Sequence, residues 1–145
     1  MRQRNSKYNA KKTEIDGIKF DSAVEGKYYL HLKEMQAQGV VSRFDLQPEF
    51  ILQGGFTDDW GVKHLPIKYR ADFLVYYKDS DPKVVDIKGQ ILPEFKLKRK
   101  LYAAKFPLEL VLLSYSKIDG GFVTVDALKK ARKLRKKAKE AKLNG

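Results

Sequence analysis

Arg70-Ala71-Asp72-Phe73-Leu74-Val75-Tyr76-Tyr77 is followed by Lys78-Asp79-Ser80-Asp81-Pro82 and then by Lys83-Val84-Val85-Asp86-Ile87-Lys88-Gly89. Two runs rich in β-branched and aromatic residues flank a stretch of turn formers, which predicts an antiparallel hairpin with strands over 67–77 and 83–88. With the turn centred near Ser80, Asp72 faces Lys88 and Asp86 faces Leu74. Asp72 and Asp86 are then diagonal neighbours, about 7–8 Å apart along the backbones. Residues two apart in a strand share a face, so Asp86 and Lys88 point the same way. Two carboxylates and a lysine therefore gather on one face of an otherwise apolar hairpin. Unpaired burial of such charges is costly, and hard oxygen ligands of this kind suit Mg²⁺ or Mn²⁺. The alternative is an exposed edge on which Asp86 and Lys88 form a surface ion pair.

Outward from the hairpin, the chain alternates helix and strand signals. Residues 15–20, with Asp16-Gly17 inside, predict a short hairpin or turn. Residues 22–38 predict a helix, because Val24, Tyr28, Leu32 and Met35 fall on one face, with Ser22 as N-cap and Gly39 as stop. Residues 40–52, interrupted by Pro48, predict an extended segment near a sheet edge, and residues 53–66 a loop or excursion. Pro93 opens a helix over about 94–105, with Phe95, Leu97, Leu101 and Ala104 facing inward. Residues 108–114 predict a buried strand and Asp119-Gly120-Gly121 a turn. Thr124 or Asp126 caps a last, basic helix. The order α-β-β-β-α-β-α predicts one α/β domain over 13–125, with a mixed central sheet flanked by helices. Residues 1–12 form a basic arm and 126–145 a basic C-terminal helix or tail.

The 145 residues carry a net charge of +12, from 30 Lys+Arg and 18 Asp+Glu. Residues 1–12 hold five bases and no acid; residues 126–145 hold nine bases and two acids, which leaves 16 bases and 16 acids between them. The excess lies wholly at the two ends. Basic ends around a neutral body suit a polyanion gripped by its phosphates; a solvated helix face is the plainer account. There is no cysteine, which excludes disulfides, thiolate metal sites and a cysteine nucleophile. His31 and His64 are too few for a multi-histidine centre. No apolar run is long enough to span a bilayer, and no signal-peptide core follows the start. These features point to a cytoplasmic protein (the host cytoplasm for a phage product) with no membrane contact.

The wording Phe20-Asp21-Ser22-x-x-Glu25, Gln47-Pro48-x-Phe50, Ala71-Asp72-Phe73, Asp86-x-Lys88-Gly89 and Phe95-Lys96-Leu97-Lys98 resembles the PD-(D/E)xK nuclease superfamily over roughly 14–114, in particular its small phage-borne, endonuclease-like or Holliday-junction-resolvase-like members. Ala71 stands where the superfamily name has proline. The resemblance implies a restriction-endonuclease-like core of order α-β-β-β-α-β and Mg²⁺-dependent hydrolysis of DNA phosphodiesters, with Mn²⁺ as substitute. It implies catalytic roles for Glu25, Asp72, Asp86 and Lys88. Asp72, Asp86 and the Ile87 backbone carbonyl would hold the ion, and Glu25 would bind it directly or through water. Branched or junction DNA is the implied substrate, and a homodimer suits symmetric cutting of two strands.

Several residues carry two readings. Ser22-Ala23-Val24-Glu25 is also a capping box. Gln47 and Gln90 are accessory candidates. Lys96, Arg99 and Lys100 face outward as a phosphate-binding stripe, Lys98 lies nearer the buried edge, and Arg70 shares the face of Asp72. Lys129, Lys130, Arg132, Lys133, Arg135, Lys136 and Lys137 extend the DNA-binding set into the C-terminal helix. The rival functions are a non-catalytic DNA-binding module of the same fold and a small protein-interaction factor.

Overall fold

The computed structural model describes residues 12–144; the basic arm expected over 1–12 lies almost wholly outside the described residues. The elements in chain order are β1 (Thr13–Ile15), β2 (Ile18–Phe20), α1 (Ala23–Ala37), β3 (Val41–Leu46), β4 (Glu49–Gln53), β5 (Phe56–Thr57), β6 (Lys63–His64), β7 (Ile67–Arg70), β8 (Phe73–Tyr77), β9 (Lys83–Ile87), α2 (Pro93–Lys105), β10 (Glu109–Ser116), β11 (Gly121–Thr124) and α3 (Val125–Asn144). The central sheet has the order β11-β10-β9-β8-β3. Its β9–β10 pair is parallel and the rest are antiparallel. Along this sheet the sequence runs α1, β3, β8, β9, α2, β10, so the expected α/β class and mixed sheet are present.

α1 begins where Ser22 Oγ accepts the Glu25 N–H at 3.1 Å and ends before Gly39, which takes the left-handed φ of 80° that glycine adopts without strain. Its inward face is the expected one, with Tyr28 and Leu32 fully inside and Tyr29 added beside them. Gly26 lets the helix sit close on the β1–β2 hairpin: a Cβ there would lie 2.7 Å from Thr13 Cγ2. One core layer joins α1 and Phe20 to Val41, Phe73, Val75 and Val85. The other joins Phe95 and Tyr102 of α2 to Val84, Leu112, Leu52 and Tyr69. Alternation along β9 thus sends Val85 to one layer and Val84 to the other.

Four expectations are corrected. The single strand over 67–77 is two, because the chain leaves the sheet at Ala71-Asp72: β7 pairs with β4, not with the central sheet. The extended segment over 40–52 divides likewise at Gln47-Pro48, where Gln47 takes φ 49° and proline cannot donate to a ladder. The excursion over 53–66 contains a hairpin, β5–β6, stapled by Asp58, which accepts the N–H groups of Trp60 and Val62 at 2.9 Å each. In α2, Leu97 is 59% exposed and Ala104 is also exposed; the buried pair is Phe95 and Tyr102, seven residues apart and so on one stripe.

α3 starts at Thr124, whose Oγ1 accepts the Ala127 N–H at 3.1 Å. Leu128 anchors it, and beyond Ala131 every described residue is exposed. Among the described residues, no helix is long and apolar enough to cross a membrane.

Leu32 is 0% exposed at the centre of the first core layer. Leu32→Ala is expected to lower unfolding stability by about 3 kcal/mol, from lost transfer energy plus the cavity left behind, as read by urea denaturation.

Candidate metal and phosphate site

β8 and β9 pair as Phe73↔Val85, Leu74↔Val84 and Val75↔Lys83. The turn is therefore centred on Asp79, one residue earlier than expected. Each residue's partner changes by two positions, which leaves the faces unchanged and carried one step further sets Asp72 directly opposite Asp86 rather than diagonal to it. The two carboxyls are close enough for each to act on the other's charge.

The ladder opens at this point for a definite reason. The next bonded pair would have joined Ala71 to Ile87. Instead the Ala71 N–H donates to the Pro48 carbonyl at 3.1 Å, and the Ile87 N–H donates to Asp72 Oδ2 at 2.7 Å. Gln47 N–H closes the bend on the Asp72 carbonyl at 2.9 Å. The donor that would have served the Ile87 carbonyl is diverted. That carbonyl points to the same strand edge as its own N–H, toward Asp72.

Asp86 is 3% exposed on the middle strand of the sheet, so the surface ion-pair alternative does not hold. It is compensated there by two donors. Tyr69 Oη donates to Asp86 Oδ2 at 2.5 Å, and Lys88 Nζ lies 3.2 Å from the same oxygen. Lys88 Nζ also sits 4.0 Å from the centre of the Phe95 ring, which steadies the cation. The Lys88 N–H donates to the Leu113 carbonyl at 2.7 Å, and Ser114 Oγ donates to the Lys88 carbonyl, so the lysine backbone is held by β10. Burial and the neighbouring carboxylate hold the Tyr69 phenol above its ordinary pKa, so it remains a donor.

Asp72 bears the cost of the arrangement. Burial above all, then the hydrogen bond and charge of Asp86 and the charge of Glu25, raise its pKa far out of the carboxylate range, against the lowering effect of the Ile87 N–H. Burial, and then Asp21, raise that of Glu25. Two adjoining carboxyls, Asp86 buried and Asp72 half-buried, beside a diverted backbone carbonyl make a hard-oxygen donor set of the kind that suits Mg²⁺ or Mn²⁺. Among the described residues, no three Asp, Glu or His side chains converge on one point. Glu25 instead lines a cavity of about 100 Å³ together with Asp72 and Gln47, so it faces the site from the wall while its N–H serves the helix cap.

The basic residues divide into groups. Lys96, Arg99 and Lys100 of α2 face Lys129 and Arg132 of α3 across a groove of about 680 Å³ that also reaches Lys88 and Gln90. Arg70, Lys98 and Lys68 line a second cleft with Lys88 and Gln90. Arg70 belongs to β7 and so does not share a strand with Asp72. Lys98 pairs with Glu94 at 3.5 Å. Arg135 is taken up by Asp119 at 2.5 Å. Lys130, Lys133, Lys136 and Lys137 are exposed and outside both clefts.

Sequence reasoning missed Tyr69 and Ser114. Neither lies at a spacing that marks it: Tyr69 reaches Asp86 only because the chain bends at Ala71, and Ser114 comes from a strand paired across a helical crossover.

The family described as "Protein of unknown function (DUF1064)" matches residues 5–119. The chain belongs to that family. Neither a curated protein nor a solved structure matches it. The matched stretch contains Glu25, Tyr69, Asp72, Asp86, Lys88 and Ser114, and α2 entire; in this DUF1064 chain, β11 and α3 lie beyond it.

The raised pKa of Asp72 has a sign. Below about pH 4 the carboxyl is protonated in both folded and unfolded chains. As pH rises the unfolded chain ionises first, so this group's contribution to stability falls progressively until the raised folded pKa is passed. Asp72→Asn keeps an acceptor for the Ile87 N–H and removes the titration. In EDTA, the urea midpoint of the wild type is expected to fall relative to that of Asp72→Asn between pH 5 and pH 8.

Proposed function

We propose that this protein is a divalent-metal-dependent nuclease that hydrolyses DNA phosphodiester bonds on a restriction-endonuclease-like core. The observation that carries the reading is the buried Asp86 on the central strand, with the half-buried Asp72 opposite it and the Lys88 ammonium beside it. A structural role alone gives little return for it. Replacing such a group with apolar side chains of similar volume is often neutral or stabilising, whereas a metal site needs the charges.

Asp72, Asp86 and the Ile87 carbonyl would hold the ion, and Glu25 would contribute negative charge from the α1 side. When bound, Mg²⁺ or Mn²⁺ supplies Lewis-acid stabilisation of the phosphate and acidifies water. Lys88 neutralises charge developing on the phosphate as the ester bond breaks. Tyr69 fixes the Asp86 carboxylate through one oxygen and leaves the other available as a ligand, and Phe95 and Asp86 hold the Lys88 ammonium in place. The cations of α2 and α3 bind backbone phosphates on either side. Branched or junction DNA is the proposed substrate, cut in the cytoplasm by a homodimer in which each copy cleaves one strand.

Purified protein is expected to nick plasmid, linear duplex or four-way-junction DNA with Mg²⁺ or Mn²⁺, and not in EDTA. Asp72→Ala and Lys88→Ala should each lose about 100-fold or more in rate while still retaining DNA on a column. A wild type that leaves all three substrates and single strands intact with either ion ends the nuclease reading. Because the ion competes with the Asp72 proton, Mn²⁺ should raise the melting temperature of the wild type more at pH 8 than at pH 5, and should not do so for Asp72→Asn.

A further inference from the structure

The groove between α2 and α3 has a composition that the metal site does not require. Lys96, Arg99, Lys100 and Ala103 of α2 line it at i, i+3, i+4 and i+7, and Val125, Leu128, Lys129 and Arg132 of α3 line it at the same spacing. Each helix thus offers one stripe, cationic at the rim and apolar within. Ile91 and the buried Leu128 lie among the apolar lining. Neighbours at these spacings are about 5–6 Å apart on a helix, where like charges destabilise it. The groove contains one acid, Asp126, and among the described residues none of the five helical cations forms an ion pair. Lys68, Lys83, Lys98 and Arg135 each have an acidic partner; Lys130, Lys133, Lys136 and Lys137 have none among the described residues but lie outside the groove, so what sets the groove apart is that its cations stand on both walls. Unpaired cations concentrated on both walls of one cleft mark a polyanion site.

The size and lining narrow the ligand. About 680 Å³ falls within the ~300–1,000 Å³ range of small-ligand clefts. A duplex, broad enough to take a whole helix in its own ~12 Å major groove, does not fit inside it; one strand does. The apolar lining receives bases released from their stack, the Arg99 and Arg132 guanidinium planes give them a face to stack on, and the rim lysines take the phosphates. Lys88 is among the residues that line the groove. We propose that this groove seats a single, unstacked nucleic-acid strand and leads it to Lys88, so that the preferred substrate carries a single-stranded segment. The role of the strand as substrate rests on the nuclease reading; its seating in the groove does not.

The test is fluorescence anisotropy of the full chain in EDTA, where no cleavage occurs, with a labelled oligothymidylate and a blunt duplex of equal length. The wild type should bind the single strand about tenfold more tightly. Lys96→Ala combined with Lys129→Ala should weaken single-strand binding and reduce its salt slope by about 1.4, from two phosphate contacts at about 0.7 each, and Arg99→Ala combined with Arg132→Ala should weaken it through lost stacking, with a smaller effect on the duplex. Equal binding of both probes, an unchanged slope, or displacement of the strand by polyglutamate as readily as by unlabelled oligonucleotide overturns the inference. Cleavage with Mg²⁺ is scored separately on blunt and single-strand-tailed duplexes. A protein that cuts both alike and shows no single-strand preference loses this inference and keeps the nuclease reading. One that prefers single strands in EDTA but cuts nothing keeps the groove and loses the nuclease reading.

Discussion

The hydrogen bond from the Ile87 N–H to the Asp72 side chain (2.7 Å) is the point on which the site depends. It replaces a backbone ladder bond with a carboxylate, and so lets β8 end while β9 continues. With Ala71 turned to Pro48 instead, the β4–β7 ribbon swings over the α2 layer and brings Tyr69 onto Asp86. One exchanged bond therefore opens a strand edge, diverts the donor from the Ile87 carbonyl and delivers the phenol that makes the buried Asp86 tolerable. A ladder that ran straight through Ala71 would have kept these groups apart.

Electrostatics then divide the molecule. Asp86 is buried and Asp72 half-buried opposite it, and burial together with the neighbouring carboxylates raises the Asp72 pKa. The cations stand on α2 and α3 outside that pair; those that face the groove form no ion pair, while Lys98 and Arg135, outside it, pair with Glu94 and Asp119. Lys88 belongs to both regions. Its ammonium rests between Asp86 and the Phe95 ring, and its side chain also lines both basic clefts. A residue placed this way joins the proposed metal site to the proposed phosphate-binding surface, which is the basis of the proposed chemistry.

Much of this was legible in residue patterns, and its limits have physical causes. Asp72, Asp86 and Lys88 share a face because strand periodicity is two, and that survived a turn one residue away from its expected centre: a change of two in register conserves faces. The same fact is why the diagonal and direct arrangements of Asp72 and Asp86 could not be told apart from sequence. Val24, Tyr28, Leu32 and Met35 marked the inner face of α1 correctly because helix periodicity is equally local. Leu97 misled because hydrophobicity alone does not say which apolar residue a neighbouring ribbon covers; Phe95 and Tyr102 meet Tyr69 and Phe50, and Leu97 meets solvent.

Residue patterns alone specified the α/β class, the hairpin, the helix cap at Ser22, the three polar residues on one strand face and the partition of charge between body and ends, and narrowed the cap of α3 to Thr124 or Asp126. These follow from local rules of periodicity, capping and charge, which act within a few residues. Only the tertiary structure decided that Tyr69 and Ser114 serve the site, that Asp72 lies straight across from Asp86, and that α2 and α3 line one groove. Each of those pairs residues from segments joined by a bend or a crossover, and no local periodicity encodes where such a segment returns.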